Sequence, residues 1–165
     1  MRGLERRDGI GAAVDVGSTN ISARLVSLTS GETMTERVVA NPTRVFGADV
    51  VRRLGEAESP EKSSEMARSL RGRIGMLVAE MAESEGCFPR ETAEIVAVGN
   101  SAMHALFWGL PAGGLARAPF EPADTGARQA SCRELGMPGL PEARVTWPPL
   151  IGGYVGSDAL CALDA

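Results

Sequence analysis

Val14-Asp15-Val16-Gly17-Ser18-Thr19-Asn20 is the stretch on which the reading of this chain turns. A run of small and branched apolar residues ends in a carboxylate, then a glycine, two hydroxyls and an amide. The chain at once resumes an alternating pattern with Ile21, Ala23 and Leu25. Such a pattern predicts a strand, a tight turn and a second strand. Consecutive backbone amides pointing into a concavity make an anion-binding nest, and the hydroxyls of Ser18 and Thr19 and the amide of Asn20 add donors beside it. Gly17 has no side chain to keep a ligand away from the backbone. Asp15 repels an anion, so next to a phosphate its role would be to hold hydrated Mg²⁺ through water. The same residue types also build an ordinary polar hairpin turn. The stretch alone leaves both readings open.

Outward from the turn, three strands are expected at 11–16, 20–29 and 33–40, forming an antiparallel meander. The first is small and apolar throughout, as a central strand buried on both faces would be. The second alternates, as a strand near a sheet edge does, although Leu25-Val26 breaks the period. Asn41-Pro42 ends the third strand, and Gly47-Ala48-Asp49 starts a short helix through Val50, Val51 and Leu54. Ser59-Pro60-Glu61 opens a longer helix of five or six turns. Its apolar stripe is Met66, Leu70, Ile74, Leu77, Val78 and Met81, and Gly86 sits at its C-terminal cap. Residues 94–99 form a buried strand, parallel to an existing one after the helical crossover. Asn100-Ser101 caps a helix through Met103, Ala105, Leu106, Phe107 and Trp108. The proline- and glycine-rich segment 110–142 reads as an irregular insertion with one short helix at 127–135. A last strand at 143–147, a turn at Gly152-Gly153 and a final helix at 157–163 complete the order βββ, α, α, β, α, long loop, β, α.

The bulk properties bound the function. One lobe spanning 1–165 is long enough for a real core. A formal charge of −4 offers no field for nucleic acid or for an anionic membrane, and the few aromatic residues leave little to stack bases on. The charged N-terminus Met1-Arg2-Gly3-Leu4-Glu5-Arg6-Arg7-Asp8 is unlike a signal peptide, and no apolar run is long enough to span a bilayer. A cytoplasmic location is the expectation. Cys87, Cys132 and Cys161 are scattered and accompanied by a single histidine, which suits reduced thiols rather than a disulfide framework or a zinc site. Arg6-Arg7 and Arg52-Arg53 read as solvated surface pairs, Cys161 as a small core residue, and His104 as structural.

Four collinear stretches carry a resemblance. The turn Asp15-Val16-Gly17-Ser18-Thr19-Asn20 looks like the first phosphate loop of the actin, sugar-kinase and heat-shock chaperone superfamily, whose lobe has a ribonuclease H-like α/β fold. Three others resemble more narrowly the C-terminal ATPase domain of the reductive activators of corrinoid proteins. These are Ala40-Asn41-Pro42 with Phe46-Gly47-Ala48-Asp49-Val50-Val51, Val98-Gly99-Asn100-Ser101-Ala102-Met103-His104 with Gly109-Leu110-Pro111, and Pro148-Pro149-Leu150-Ile151-Gly152-Gly153-Tyr154-Val155-Gly156-Ser157-Asp158.

The resemblance implies a ribonuclease H-like lobe, the first half of an actin-like ATPase. It implies ATP with Mg²⁺ as cofactor, Asp15 organising the metal, Gly17, Ser18, Thr19 and Asn20 holding phosphates, and Asn100 and Ser101 lining the cleft. From the residues themselves, Asn100 and Ser101 read first as a plain helix cap. Asp158 is the implied residue that addresses the attacking water, and in a first helical turn it also suits the helix dipole. The implied partners are a second ATPase lobe, a corrinoid protein or methyltransferase, and an iron-sulfur electron donor. Three cysteines cannot hold a [2Fe-2S] centre, so no cluster is expected in this chain. The family continues into a second phosphate loop beyond residue 165, and half a clamp is not expected to hydrolyse ATP efficiently. Two other readings share the same turn: a non-catalytic module that binds a partner or a phosphorylated ligand, and half of a sugar or acyl kinase.

Overall fold

The computed structural model describes residues 9–151, 156 and 157. Three antiparallel strands come first: β1 (Ile10–Val16), β2 (Asn20–Ser27) and β3 (Thr33–Ala40). A 3-10 turn over Pro42–Phe46 leads into α1 (Val50–Glu56), and α2 (Pro60–Ser84) follows. Then come β4 (Thr92–Val98), α3 (Ser101–Trp108), the single turn α4 (Gly113–Ala116), β5 (Arg128–Ser131) and β6 (Arg144–Trp147). One six-stranded sheet results, in the order β3-β2-β1-β4-β6-β5. β4 runs parallel to β1 and β6 parallel to β4, so the meander passes into parallel strands with helical crossovers, as expected of the ribonuclease H-like, actin-like lobe. No helix among the described residues is long and apolar enough to cross a membrane.

Local chemistry explains the boundaries. Asp49 caps α1 by accepting from the Arg52 amide at 2.8 Å, and Asn100 caps α3 by accepting from the Met103 amide at 3.0 Å. Gly86 takes the left-handed conformation (φ 74°) just past α2, and Gly109 (φ 65°) does the same past α3. α2 carries Gly72 and Gly75, each costing about 1 kcal/mol in a helix interior. Its buried stripe of Met66, Leu70, Ile74, Leu77, Val78 and Met81 outweighs that, at about 1.5–3 kcal/mol per side chain removed from water. Gly75 also lets the 137–138 segment approach: a Cβ there would lie 3.0 Å from the Pro138 ring and carbonyl. At 25 residues the helix is longer than its stripe suggested.

Three features depart from the sequence reading. β1 is covered on both faces only at its start: Ile10, Ala12, Val14 and Val16 enter the core and Gly11 lies under Leu28, while Ala13 and Asp15 on the Gly11 face are exposed. Arg24 and Val96 lie exposed on the neighbouring strands, so that face of the central sheet is open. Residues 128–131 form β5, not part of a helix over 127–135, because they pair antiparallel with β6 from Arg128↔Trp147 to Ser131↔Arg144. Arg53 is buried, while Arg52 stays exposed. The Gly152-Gly153 turn and most of the final helix lie outside the described residues.

Candidate functional site

The three stretches bearing the expected site residues converge at the C-terminal ends of the parallel strands, where open α/β sheets bind ligands. β1 ends at Val16 and β4 at Val98, side by side in parallel register through Asp15↔Val98. The following Gly99 packs so tightly that a Cβ on it would lie 2.7 Å from the Val16 carbonyl oxygen. Gly156 in turn lies against Gly99, where an added Cβ would overlap the Gly99 carbonyl oxygen and come within 2.5 Å of the Asn100 Cα. Ser157 fastens this contact. Its hydroxyl accepts from the Gly99 amide (3.3 Å) and from the Trp147 indole (3.0 Å), and it donates to the Gly99 carbonyl (3.4 Å). Asp158 lies outside the described residues.

The turn between β1 and β2 is held from beneath by two side chains. Asn41 Nδ2 donates to the Gly17 carbonyl at 2.7 Å, and the Asn41 backbone N-H adds a bond to the Thr19 carbonyl at 2.9 Å. Arg53 Nη1 donates to the Ser18 carbonyl at 2.5 Å. Three consecutive carbonyls of the turn are therefore directed inward. A trans peptide points its C=O and N-H in opposite directions, so the amides of Ser18 and Thr19 face away from Asn41 and Arg53, toward the surface. Thr19 and Asn20 are exposed and Ser18 half-buried, leaving side chains available on that outer side.

The support is itself fixed. Asn41 Oδ1 accepts from the Thr43 amide (2.9 Å) and hydroxyl (2.7 Å), and Asn41 Nδ2 also reaches the Met103 sulfur on α3 (3.4 Å). Arg53 is 1% exposed and donates further to the Gly47 carbonyl (2.9 Å), the Thr43 hydroxyl (3.3 Å) and the Ala48 carbonyl (3.4 Å). Burial lowers the Arg53 pKa, Arg44 lowers it further, and Asp49 acts the other way. Reading the arginine pair as surface missed this residue. A signal was present: Val50, Arg53, Leu54 and Ala57 follow helical spacing, so Arg53 lies on the apolar stripe of α1.

Other expected residues fall differently. Asp15 is exposed on the open sheet face, beside a cavity of about 400 Å³ bounded by Asp15, Ser22, Arg24, Val96 and Val98. Arg24 is engaged by Glu36 at 2.9 Å. One exposed carboxylate with room around it suits a metal that keeps most of its waters, as Mg²⁺ does, better than a metal caged by protein. Among the described residues no group of three or more His, Cys, Asp or Glu could hold a metal ion. Asn100 is half-buried and spends its side chain as the α3 cap, and Ser101 is fully buried in the first turn, away from any surface. His104 is also fully buried, edge-on to Trp147 with ring centroids 5.4 Å apart.

Gly17 has a steric reason as well. A Cβ there would lie 2.6 Å from the Asn20 carbonyl oxygen, so the turn closes on itself at this position. Gly17→Ala should force it open and cost about 1–3 kcal/mol, the usual range for overpacking. Urea unfolding of the variant beside wild type checks this; an unchanged midpoint would show that the turn relaxes freely.

The chain is similar to known proteins over most of its length. The corrinoid activation enzyme RamQ of Eubacterium limosum is 29% identical over 154 residues, covering 93% of this chain and 26% of that protein. The solved structure of a reductive activator for corrinoid, iron-sulfur protein superposes with a TM-score of 0.85 at 25% identity, over 95% of this chain and 25% of that one. This chain thus spans about a quarter of the length of each. The family model described as the RACo middle region matches residues 10–165, and the chain belongs to that family.

Proposed function

We propose that this chain is the phosphate-binding lobe of an ATP-dependent reductive activator of corrinoid proteins, working in the cytoplasm. The observation that carries the reading is the inward direction of the Gly17, Ser18 and Thr19 carbonyls, which turns the Ser18 and Thr19 amides outward as an anion cradle. Asp15, at the end of the same strand, holds Mg²⁺ through water and so neutralises the phosphates that the amides bind. The relatives, a corrinoid activation enzyme and a reductive activator for a corrinoid, iron-sulfur protein, support the acceptor. In this reading the lobe supplies one side of a phosphate clamp and does not hydrolyse ATP efficiently alone. Another lobe supplies the second side, and an iron-sulfur donor supplies the electrons. Asp158, next in sequence to the anchored Ser157, addresses the attacking water.

The test compares Asp15→Ala with wild type in the complete gene product. Without its carboxylate the protein should bind ATP about tenfold more weakly in Mg²⁺, the effect of losing one charged contact. The deficit should shrink when EDTA removes the metal. Equal ATP affinity and turnover in the two proteins would sink the proposal.

A further inference from the structure

We propose that Arg53 is a positioning residue of the phosphate turn whose positive charge, and not only its hydrogen bonds, acts on the bound ligand. The inference rests on the phosphate reading of residues 17–20 and deepens it: the occupant it favours carries several phosphate charges rather than one.

Four acceptors surround the Arg53 guanidinium, and all are neutral: the carbonyls of Ser18, Gly47 and Ala48 and the hydroxyl of Thr43. Among the described residues no carboxylate forms an ion pair with it. A fully buried cation that no carboxylate meets in an ion pair is costly, and Asp49 acts on Arg53 only at longer range, with Arg44 acting the other way. If a neutral scaffold were all that the turn required, an uncharged donor such as the Asn41 side chain would meet the need, as it does for the Gly17 carbonyl, while the Thr19 carbonyl is met by the Asn41 backbone N-H. The one carbonyl given to a cation is the middle one, Ser18.

The Ser18-Thr19 peptide lies between the guanidinium and the outer face of the turn. Its oxygen accepts a charge-assisted bond from behind, and its N-H, on Thr19, points to the front. Accepting such a bond polarises the peptide and strengthens the N-H as a donor. The charge itself adds to the potential at the front, because little water intervenes to screen it. The chain as a whole carries a formal charge of −4, so this positive site is a local one. The attraction scales with ligand charge, so triphosphate gains more than monophosphate.

The experiment measures ATP and AMP affinities of the complete gene product as wild type, Arg53→Lys and Arg53→Met, with folding followed by circular dichroism. Arg53→Met should weaken ATP about tenfold or more and AMP only about threefold or less, while Arg53→Lys should keep ATP within about threefold of wild type. Equal losses for ATP and AMP, or a lysine variant as weak as the methionine one, would reduce Arg53 to a scaffold and overturn the inference while leaving the phosphate turn standing. A wild-type protein that binds neither nucleotide defeats the phosphate reading, and this inference with it. Should Arg53→Met fail to fold, wild type alone decides: saturating pyrophosphate should shift the Arg53 Nε-H resonance, and an unmoved signal overturns the proposal.

Discussion

Trp147→Ala should destabilise the protein by about 3–5 kcal/mol, the range for truncating a buried tryptophan. Trp147 ends β6 with no exposed surface, and its ring centroid lies 5.3 Å from that of Phe107 and 5.4 Å from that of His104. Its indole N-H reaches Ser157, the residue that secures Gly156 against the Gly99-Asn100 turn. The loss therefore has two parts: a cavity between β6 and α3, and a hydroxyl left without one of its donors. Trp147→Phe separates them, since it refills much of the space and removes only the N-H. It should retain most of the stability, losing about 1–2 kcal/mol for a hydrogen bond and a smaller ring. Urea unfolding followed by circular dichroism measures both variants. A loss below about 1 kcal/mol for Trp147→Ala would mean that the neighbours collapse into the space.

His104 should make the protein sensitive to mild acid. Burial, reinforced by Arg128 and only partly opposed by Asp124, lowers its pKa from 6.5 to about 4. Neither ring nitrogen has a hydrogen-bond partner among the described residues, so nothing offsets a charge on the ring. The folded state keeps the imidazole neutral, whereas the unfolded chain takes up a proton below its ordinary pKa. Stability from this group is thus fully present above about pH 6.5 and is lost as pH falls toward about 4. The size of the shift corresponds to about 2 kcal/mol lost between about pH 7 and pH 5. His104 is the only histidine in the sequence, which keeps this window clear of other imidazoles. The carboxylates held below their ordinary range, Glu56 by Lys62, Asp124 by the Gly126 amide and Glu134 by the Ser131 amide, act at lower pH. His104→Phe keeps the edge contact with Trp147 and removes the titration. Its stability should be nearly flat from about pH 7 to pH 5 where wild type falls by that 2 kcal/mol. Parallel pH profiles for the two proteins would place the acid sensitivity elsewhere.

Much of the fold is legible in the chain because hydrophobic period and capping residues act locally. The meander, the stripe of α2, the strand ending at Val98 and the Asn100 cap all follow from residues a few positions apart. β5 is not legible, since Arg128-Gln129-Ala130-Ser131, inside the insertion, has no strand pattern and becomes a strand only by pairing with β6 beyond residues 132–143. Nor could small residues in β1 reveal that one of its faces would remain uncovered beyond Gly11.

The candidate site divides the same way. Gly17, Ser18, Thr19 and Asn20 stand out from residue type and spacing, because a phosphate cradle needs adjacent amides and the chain supplies them in order. Residue type also marked Ser101, which folding buries, since a cap motif does not say which side of a helix start meets solvent. What the sequence by itself determined is the order of the elements and the place of the turn, both products of interactions between near neighbours. The tertiary structure alone decided which way the turn faces. Its carbonyls are drawn inward by Asn41, 24 positions from Gly17, and by Arg53, 35 positions from Ser18, and donors so distant meet their acceptors only when the sheet and α1 pack together.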